Sequence, residues 1–386
     1  MTSVSRRIAL GTILGAAAAP PALVRAQAQA KGDPVLVGVS GPLTGQYAQY
    51  GADWKRGFDL AVDAVNASDG VGGHPLAYTF EDTQADPRQS VAVAQKFVSD
   101  SRIIIELGDF SSAASMAASP IYQRGRLVQF GFTNSHPDFT KGGDYMWSNA
   151  PNQADDMPVL ADYAARLGLK KFGVAYINSD WGRTSKDLFV RAAQASGATV
   201  VAAEAYLPDE KDFRSLLVRL RDAKPDSLVL VSYYPDGAEL MRQVRAETIN
   251  LPVVAAGSVY SPKFLELGGN AVNGVYTTTN FFPGDQHPVV QRFVTDYQAK
   301  YHTLPGAYNA RAYDAMIVAA TLMRQYGATR DGVHDGLSKV KDIPSVVFGS
   351  ITFDPATRRV KNPSQLELLV KGGAFTLWDG TPARAS

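Results

Sequence analysis

Short apolar, β-rich runs separated by stretches of helical spacing recur along most of the chain, and this alternation limits the fold more than any other sequence feature. Such runs lie at 35–40, 76–81, 103–108, 127–131, 172–177, 199–205, 228–232, 253–256 and 274–279. Most of the intervening stretches carry apolar residues at helical intervals, as in Trp54, Phe58, Ala61, Val62 and Val65, or Phe213, Leu216, Leu217 and Leu220. Asp86 followed by Pro87 reads as a helix N-cap with proline in the first turn. Repeated strand and helix imply parallel sheets covered on both faces, an α/β architecture.

The alternation runs twice. One set ends near Asn149, Ala150 and Pro151, and a helix over 154–167 then feeds the strand at 172–177. Two doubly wound lobes follow, with ligand sites expected beyond the carboxyl ends of their strands. The run Phe281-Phe282-Pro283-Gly284 and a helix over 288–301 read as a crossing back to the first lobe.

The first 28 residues carry Arg6 and Arg7, an apolar run over 8–19, Pro20, Pro21 and small residues at 26–30. This is the pattern of a cleavable export signal. The apolar run is shorter than the roughly 20 residues a membrane span needs. Paired arginines ahead of it resemble a twin-arginine signal, with an ordinary Sec signal as the other reading. Either places the mature protein outside the cytoplasm, in the periplasm. Without residues 1–28, 35 basic residues face 37 acidic ones, a net charge of −2, which gives no reason to expect nucleic acid or an anionic membrane as partner. The chain has no cysteine, which excludes thiol catalysis and thiolate metal sites.

The strand ends form a consistent inventory. After the first strand comes a Gly/Pro/Ser/Thr loop over 41–51 that includes Tyr50; after the third, Asp109, Phe110, Ser111 and Ser112 open a helix; after the fourth come Thr133, Asn134, Ser135 and His136. Hydroxyls and free N–H groups at a helix N-terminus suit a carboxylate. In the second half the strand ends are aromatic: Trp181, then Tyr233 and Tyr234. One lobe offers an anion cradle and the other aromatic walls.

On these residues the chain resembles the leucine/isoleucine/valine-type periplasmic binding proteins. The resemblance rests on VLVGVSGPLTGQYAQYG from Val35, the run from Gly70 to Leu76, the run from Glu81 to Pro87, and Ser111-Ser112 followed by Pro120, Ile121 and Tyr122. Lys211-Asp212-Phe213 and Tyr313-Asp314-Ala315 extend it over the mature chain. It implies two doubly wound parallel-sheet lobes joined by three crossovers, the type I periplasmic-binding fold, with 33–149 and 282–345 in lobe 1 and 150–281 and 346–386 in lobe 2. It also implies capture of a small carboxylate-bearing solute, by default of the family an amino acid of the branched-chain type, for the membrane permease of an ABC importer, with no cofactor, no metal and a monomeric chain. By resemblance Ser112, Thr133 and Ser135 hold the ligand carboxylate, Trp181 and Tyr233 complete the site from lobe 2, and Tyr50, Ser258 and Tyr308 contribute to it.

One departure bears on the ligand. Amino-acid binders of this type carry an acid near the end of the strand matching 253–256, whereas this chain reads Ala255-Ala256-Gly257-Ser258. A buried ammonium without a counter-charge costs several kcal/mol. Either Asp109 or Asp236 stands in as its partner, or the solute is an aromatic or aliphatic carboxylate without an ammonium. A secreted hydrolase is the remaining alternative, but the motifs such chemistry uses are absent. The five histidines are scattered, there is no GxSxG elbow or phosphate loop, and His136, beside Pro137, reads as a turn residue rather than a base for Ser112.

Overall fold

A computed structural model describes residues 31–360 and 365–381; the segment read as an export signal lies outside them. The first lobe opens with β1 (Val35–Gly41), α1 (Ala48–Asn66), β2 (Leu76–Asp82), α2 (Pro87–Ser99), β3 (Ile103–Leu107), α3 (Ser112–Arg124), β4 (Gln129–Gly131) and β5 (Met146–Ser148). The five strands run parallel in the order β5-β4-β3-β1-β2. Asp86 caps α2, its carboxylate accepting from the N–H groups of Arg88 and Gln89. This satisfies donors that a helix start leaves unpaired.

The second lobe follows with α4 (Gln153–Arg166), β6 (Lys171–Ile177), α5 (Asp180–Ala195), β7 (Thr199–Tyr206), α6 (Arg214–Asp222), β8 (Ser227–Val231), α7 (Tyr234–Ala246), β9 (Val253–Ala255), α8 (Pro262–Gly268) and β10 (Val275–Thr279). Its parallel strands lie in the order β10-β9-β8-β6-β7. Every residue of β8 and β9 is buried, as expected of strands covered on both faces.

The chain then returns to the first lobe with α9 (Pro288–Tyr301), α10 (Ala307–Tyr326) and α11 (Arg330–Leu337). α10 lies close against α1: a Cβ on Gly57 would stand 2.3 Å from the Asn309 carbonyl oxygen, so only glycine permits this approach. Asn309 Nδ2 donates to the Asp53 carbonyl at 2.7 Å across the same contact. The Arg330 guanidinium fastens α11 by donating to the carbonyls of Phe97, Asp100 and Ile103.

A hairpin of β11 (Ile343–Ser345) and β12 (Gly349–Ile351) comes next, then β13 (Phe353–Asp354), β14 (Arg359–Val360), β15 (Leu366–Lys371) and β16 (Ala374–Leu377). These short strands correct the expected lobe boundary at 345/346. β13 and β14 extend the first sheet beyond β5, through Arg359 opposite Ser148, and only β15 and β16 join the second, beside β10. The last crossover therefore follows Val360. Phe353 is buried against Phe130 and Trp147, and that burial holds the segment on lobe 1. Among the described residues the completed sheets share one pattern, β13-β14-β5-β4-β3-β1-β2 and β16-β15-β10-β9-β8-β6-β7.

Candidate ligand-binding site

In the first lobe, the turn between β3 and α3 divides the work of its two serines. Ser111 is the N-cap: its Oγ accepts from Ala114 N–H at 3.0 Å and donates to the Ala85 carbonyl at 3.3 Å. Ser112, the next residue, begins α3 and faces a cavity between the lobes. Thr133 and Ser135, beyond β4, line the same cavity. The Thr133 hydroxyl is buried and has no hydrogen-bond partner among the described residues. Three hydroxyls thus line one cavity, and Ser112 brings to it the N-terminal end of a thirteen-residue helix, where backbone N–H groups and the helix dipole favour negative charge.

The second lobe supplies the opposite wall. Trp181, in the first turn of α5, stacks on Tyr233 with ring centroids 4.8 Å apart and 22° between planes. Trp181 Nε1 donates to Ser135 Oγ of the first lobe at 3.2 Å. Ser258 lines the cavity beside Ala256 and Gly257, its hydroxyl donating to the Ser232 carbonyl at 2.6 Å. A Cβ on Gly257 would stand 2.6 Å from the Thr278 carbonyl oxygen, so this stretch of wall is bare backbone. Tyr308, from α10, also borders the cavity.

Tyr50 does not border it. Its ring is fully buried on Phe110, Tyr234 and Tyr308, and its hydroxyl donates to the Ser258 carbonyl at 2.8 Å while accepting from Tyr234 N–H at 3.3 Å. Tyr234 O–H in turn donates to the Gln46 carbonyl at 2.7 Å. These bonds join lobe to lobe, whereas Trp181 and Tyr233 line the cavity.

Neither acid expected to face an ammonium does so. Asp109 is buried within lobe 1, accepting from the Ser90 hydroxyl and from Phe110 N–H. Asp236 is buried under Tyr47, whose hydroxyl reaches it at 3.5 Å, and burial first of all pushes its carboxyl up to about 7. The carboxylate at the cavity is Asp156, in the first turn of α4, which accepts from Gln365 Nε2. Desolvation raises it to about 7, with the positive charge of Arg311 pulling the other way. Arg311 lines the cavity from α10, as do Gln153, Asn280 and Gln365 from other segments.

Sequence reasoning missed this polar group. Asp156 is visible in the sequence only as an acid in a helix's first turn, while Arg311 follows Tyr308 by three residues and so shares its helix face. The inner cavity has a volume of about 60 Å³. Ser112, Trp181 and Tyr233 also border an outer cleft of about 570 Å³, so they stand between the buried site and the mouth.

His136 takes no part in a nucleophile pair. Its Nδ1 accepts from Asp138 N–H at 3.1 Å, and its Nε2 lies 3.1 Å from Thr184 Oγ1 in the second lobe. Among the described residues no group of His, Asp or Glu is placed to hold a metal ion, and no helix is long and apolar enough to cross a membrane.

The comparisons with known proteins agree with this architecture. A family model described as periplasmic binding protein matches residues 34–373, and the chain belongs to that family, in its leucine/isoleucine/valine-binding type. The Leu/Ile/Val-binding protein BraC3 of Rhizobium johnstonii is 28% identical over 326 residues, covering 83% of this chain and 87% of the relative. Two solved structures show the same fold. The branched-chain amino acid transporter substrate-binding protein LivJ of Streptococcus pneumoniae, in complex with isoleucine, has a TM-score of 0.82 at 22% identity, covering 89% of this chain and 98% of that one. A solute-binding protein of R. palustris, in complex with 4-hydroxybenzoate, has a TM-score of 0.81 at 22% identity, covering 90% and 96%. Two proteins of one fold thus carry ligands of different chemistry.

Proposed function

We propose that this protein is the solute-capturing component of an ABC importer, exported to the periplasm by its first 28 residues, and that it holds a small carboxylate-bearing solute between its lobes. The observation that carries this reading is the meeting of Ser112, Thr133 and Ser135 with Trp181 and Tyr233 around one interlobe cavity. Hydroxyl and backbone donors at a helix N-terminus bind a carboxylate through charge-assisted hydrogen bonds. The stacked aromatic pair supplies apolar surface and excludes water on closure. A solute that contacts both lobes stabilises the closed form over the open one, by as much as its affinities for the two differ.

The ligand names of the Leu/Ile/Val-binding relatives favour an amino acid. The run Ala256-Gly257-Ser258 favours a carboxylate without an ammonium, since it brings no acid to the cavity. A thermal-shift screen pairing leucine and valine with their deaminated keto acids, together with benzoates and short aliphatic acids, separates the two readings. Stabilisation by leucine and valine but not the keto acids supports an ammonium subsite, for which Asp156 is the carboxylate at the cavity. The reverse pattern removes the amino-acid reading. No stabilisation by any carboxylate would sink both.

A further inference from the structure

The two ends of the inner cavity differ in kind. At the mouth end, hydroxyls and stacked aromatics prevail. At the other end the lining comes from the crossovers: Asn280 follows β10, Asp156 lies in the first turn of α4, and Gln365 precedes β15. Arg311 projects among them. Its Nη2 donates to Asn280 Oδ1 at 3.0 Å, and its guanidinium lies 5.2 Å from the centroid of the Tyr308 ring.

Arg311 makes no ion pair with a carboxylate among the described residues, and its buried Nε–H has no partner among them. The carbonyl oxygens of the Gln153 and Gln365 side chains are likewise buried and unpartnered there. Both glutamines donate through their amides, Gln153 to the Trp181 carbonyl at 2.8 Å and Gln365 to Asp156, so their oxygens are the groups left over. An alkyl tail pressed against Arg311 would desolvate a guanidinium whose one side-chain acceptor among the described residues is Asn280, at a cost comparable to a lost hydrogen bond. An oxygen function would accept from Arg311.

Taking the carboxylate reading of the mouth end as its basis, we infer that the solute is a carboxylic acid carrying a second oxygen group at its far end, received by Arg311. That group is either a hydroxyl or a second carboxylate. This specificity differs from that of a plain branched-chain side chain, for which the hinge end would have to be apolar.

Titration calorimetry of the mature protein with two matched series tests it: benzoate, 4-hydroxybenzoate and terephthalate, and pentanoate, 5-hydroxypentanoate and glutarate. In at least one series the oxygen-bearing acid is expected to bind at least about tenfold more tightly than the plain acid, the range of one hydrogen bond to a charged group. Which member gains identifies hydroxyl or carboxylate. R311M should reduce that ratio to about twofold or less. R311Q, which keeps a polar side chain, serves as a second variant, and the melting temperature of each reports whether it folds. Plain acids binding as tightly as their oxygen-bearing partners in both series would overturn the inference, as would a ratio unchanged in a folded Arg311 variant. Binding of leucine or valine with none of the oxygen-bearing acids overturns it while leaving the carboxylate reading intact; binding of nothing in either panel overturns both.

Discussion

The two lobes share a strand order yet present opposite chemistry at the same topological place. In the first, β3 and β4 end in Ser112, Thr133 and Ser135; in the second, β6 and β8 end in Trp181 and Tyr233. Central strands such as β4, β8 and β9 are buried in both, so the contrast lies in the turns that follow the strands. A doubly wound sheet fixes where a ligand can sit, and the residues after each strand decide which part of the ligand that lobe receives. Polar anchoring on one side and apolar cover on the other suits a solute that first docks on one lobe and is then enclosed by the second.

Removing the anchor should break this division most completely. Ser112→Ala with Ser135→Ala is expected to weaken carboxylate binding by about a hundredfold or more, since each hydrogen bond to a charged group contributes on the order of 1.5–3 kcal/mol. Calorimetry against the best ligand of the panel checks it, and unchanged affinity would return these hydroxyls to a capping role. On the aromatic side, Trp181→Ala removes the stack on Tyr233 and the bond to Ser135 of the other lobe. A loss of about tenfold is expected from the lost stacking and apolar contact. The ligand-free melting temperature should stay close to wild type, whereas a large fall would make Trp181 part of the lobe 2 core.

The smallest effect concerns Asp236, buried at the interlobe contact with Tyr47 and pushed up to about 7 mainly by its burial. A carboxyl whose folded pKa is raised favours the folded state most at pH below its unfolded value near 3.8, and that contribution is lost as pH rises through 7. Asp236→Asn has no charge to bury. Relative to wild type it should therefore gain a few degrees in melting temperature between pH 5 and pH 8. A wild-type-to-variant difference that is flat with pH would show that Asp236 is solvated.

Much of this molecule is legible along the chain, for a definite reason. Strands such as β8 and β9 are short, almost wholly apolar and bounded by turn residues, and hydroxyl or aromatic residues follow the strands closely, so the strand ends can be located from hydrophobic spacing alone. The two- and three-residue strands β11 to β14 carry too little periodicity to be read, which is why the lobe boundary expected at 345/346 falls short of the crossover after Val360. Tyr50 illustrates a second limit. Its place after the first strand marks it as near the cleft, but whether its ring faces solute or partner lobe depends on how far the lobes close.

Sequence alone determined the repeated α/β plan, the parallel sheets and the residues beyond the strand ends, because these follow from local hydrophobic spacing and turn chemistry. Tertiary structure alone decided that Asp156 and Arg311, 155 positions apart in the chain, meet at the hinge end of the cavity, and that Asp109 and Asp236 turn away from it. Which charges share a cavity is set by how the crossovers bring α4 and α10 together. No local pattern encodes that, since the burial that shifts a carboxyl or leaves a guanidinium donor unpaired arises only when distant segments close over it.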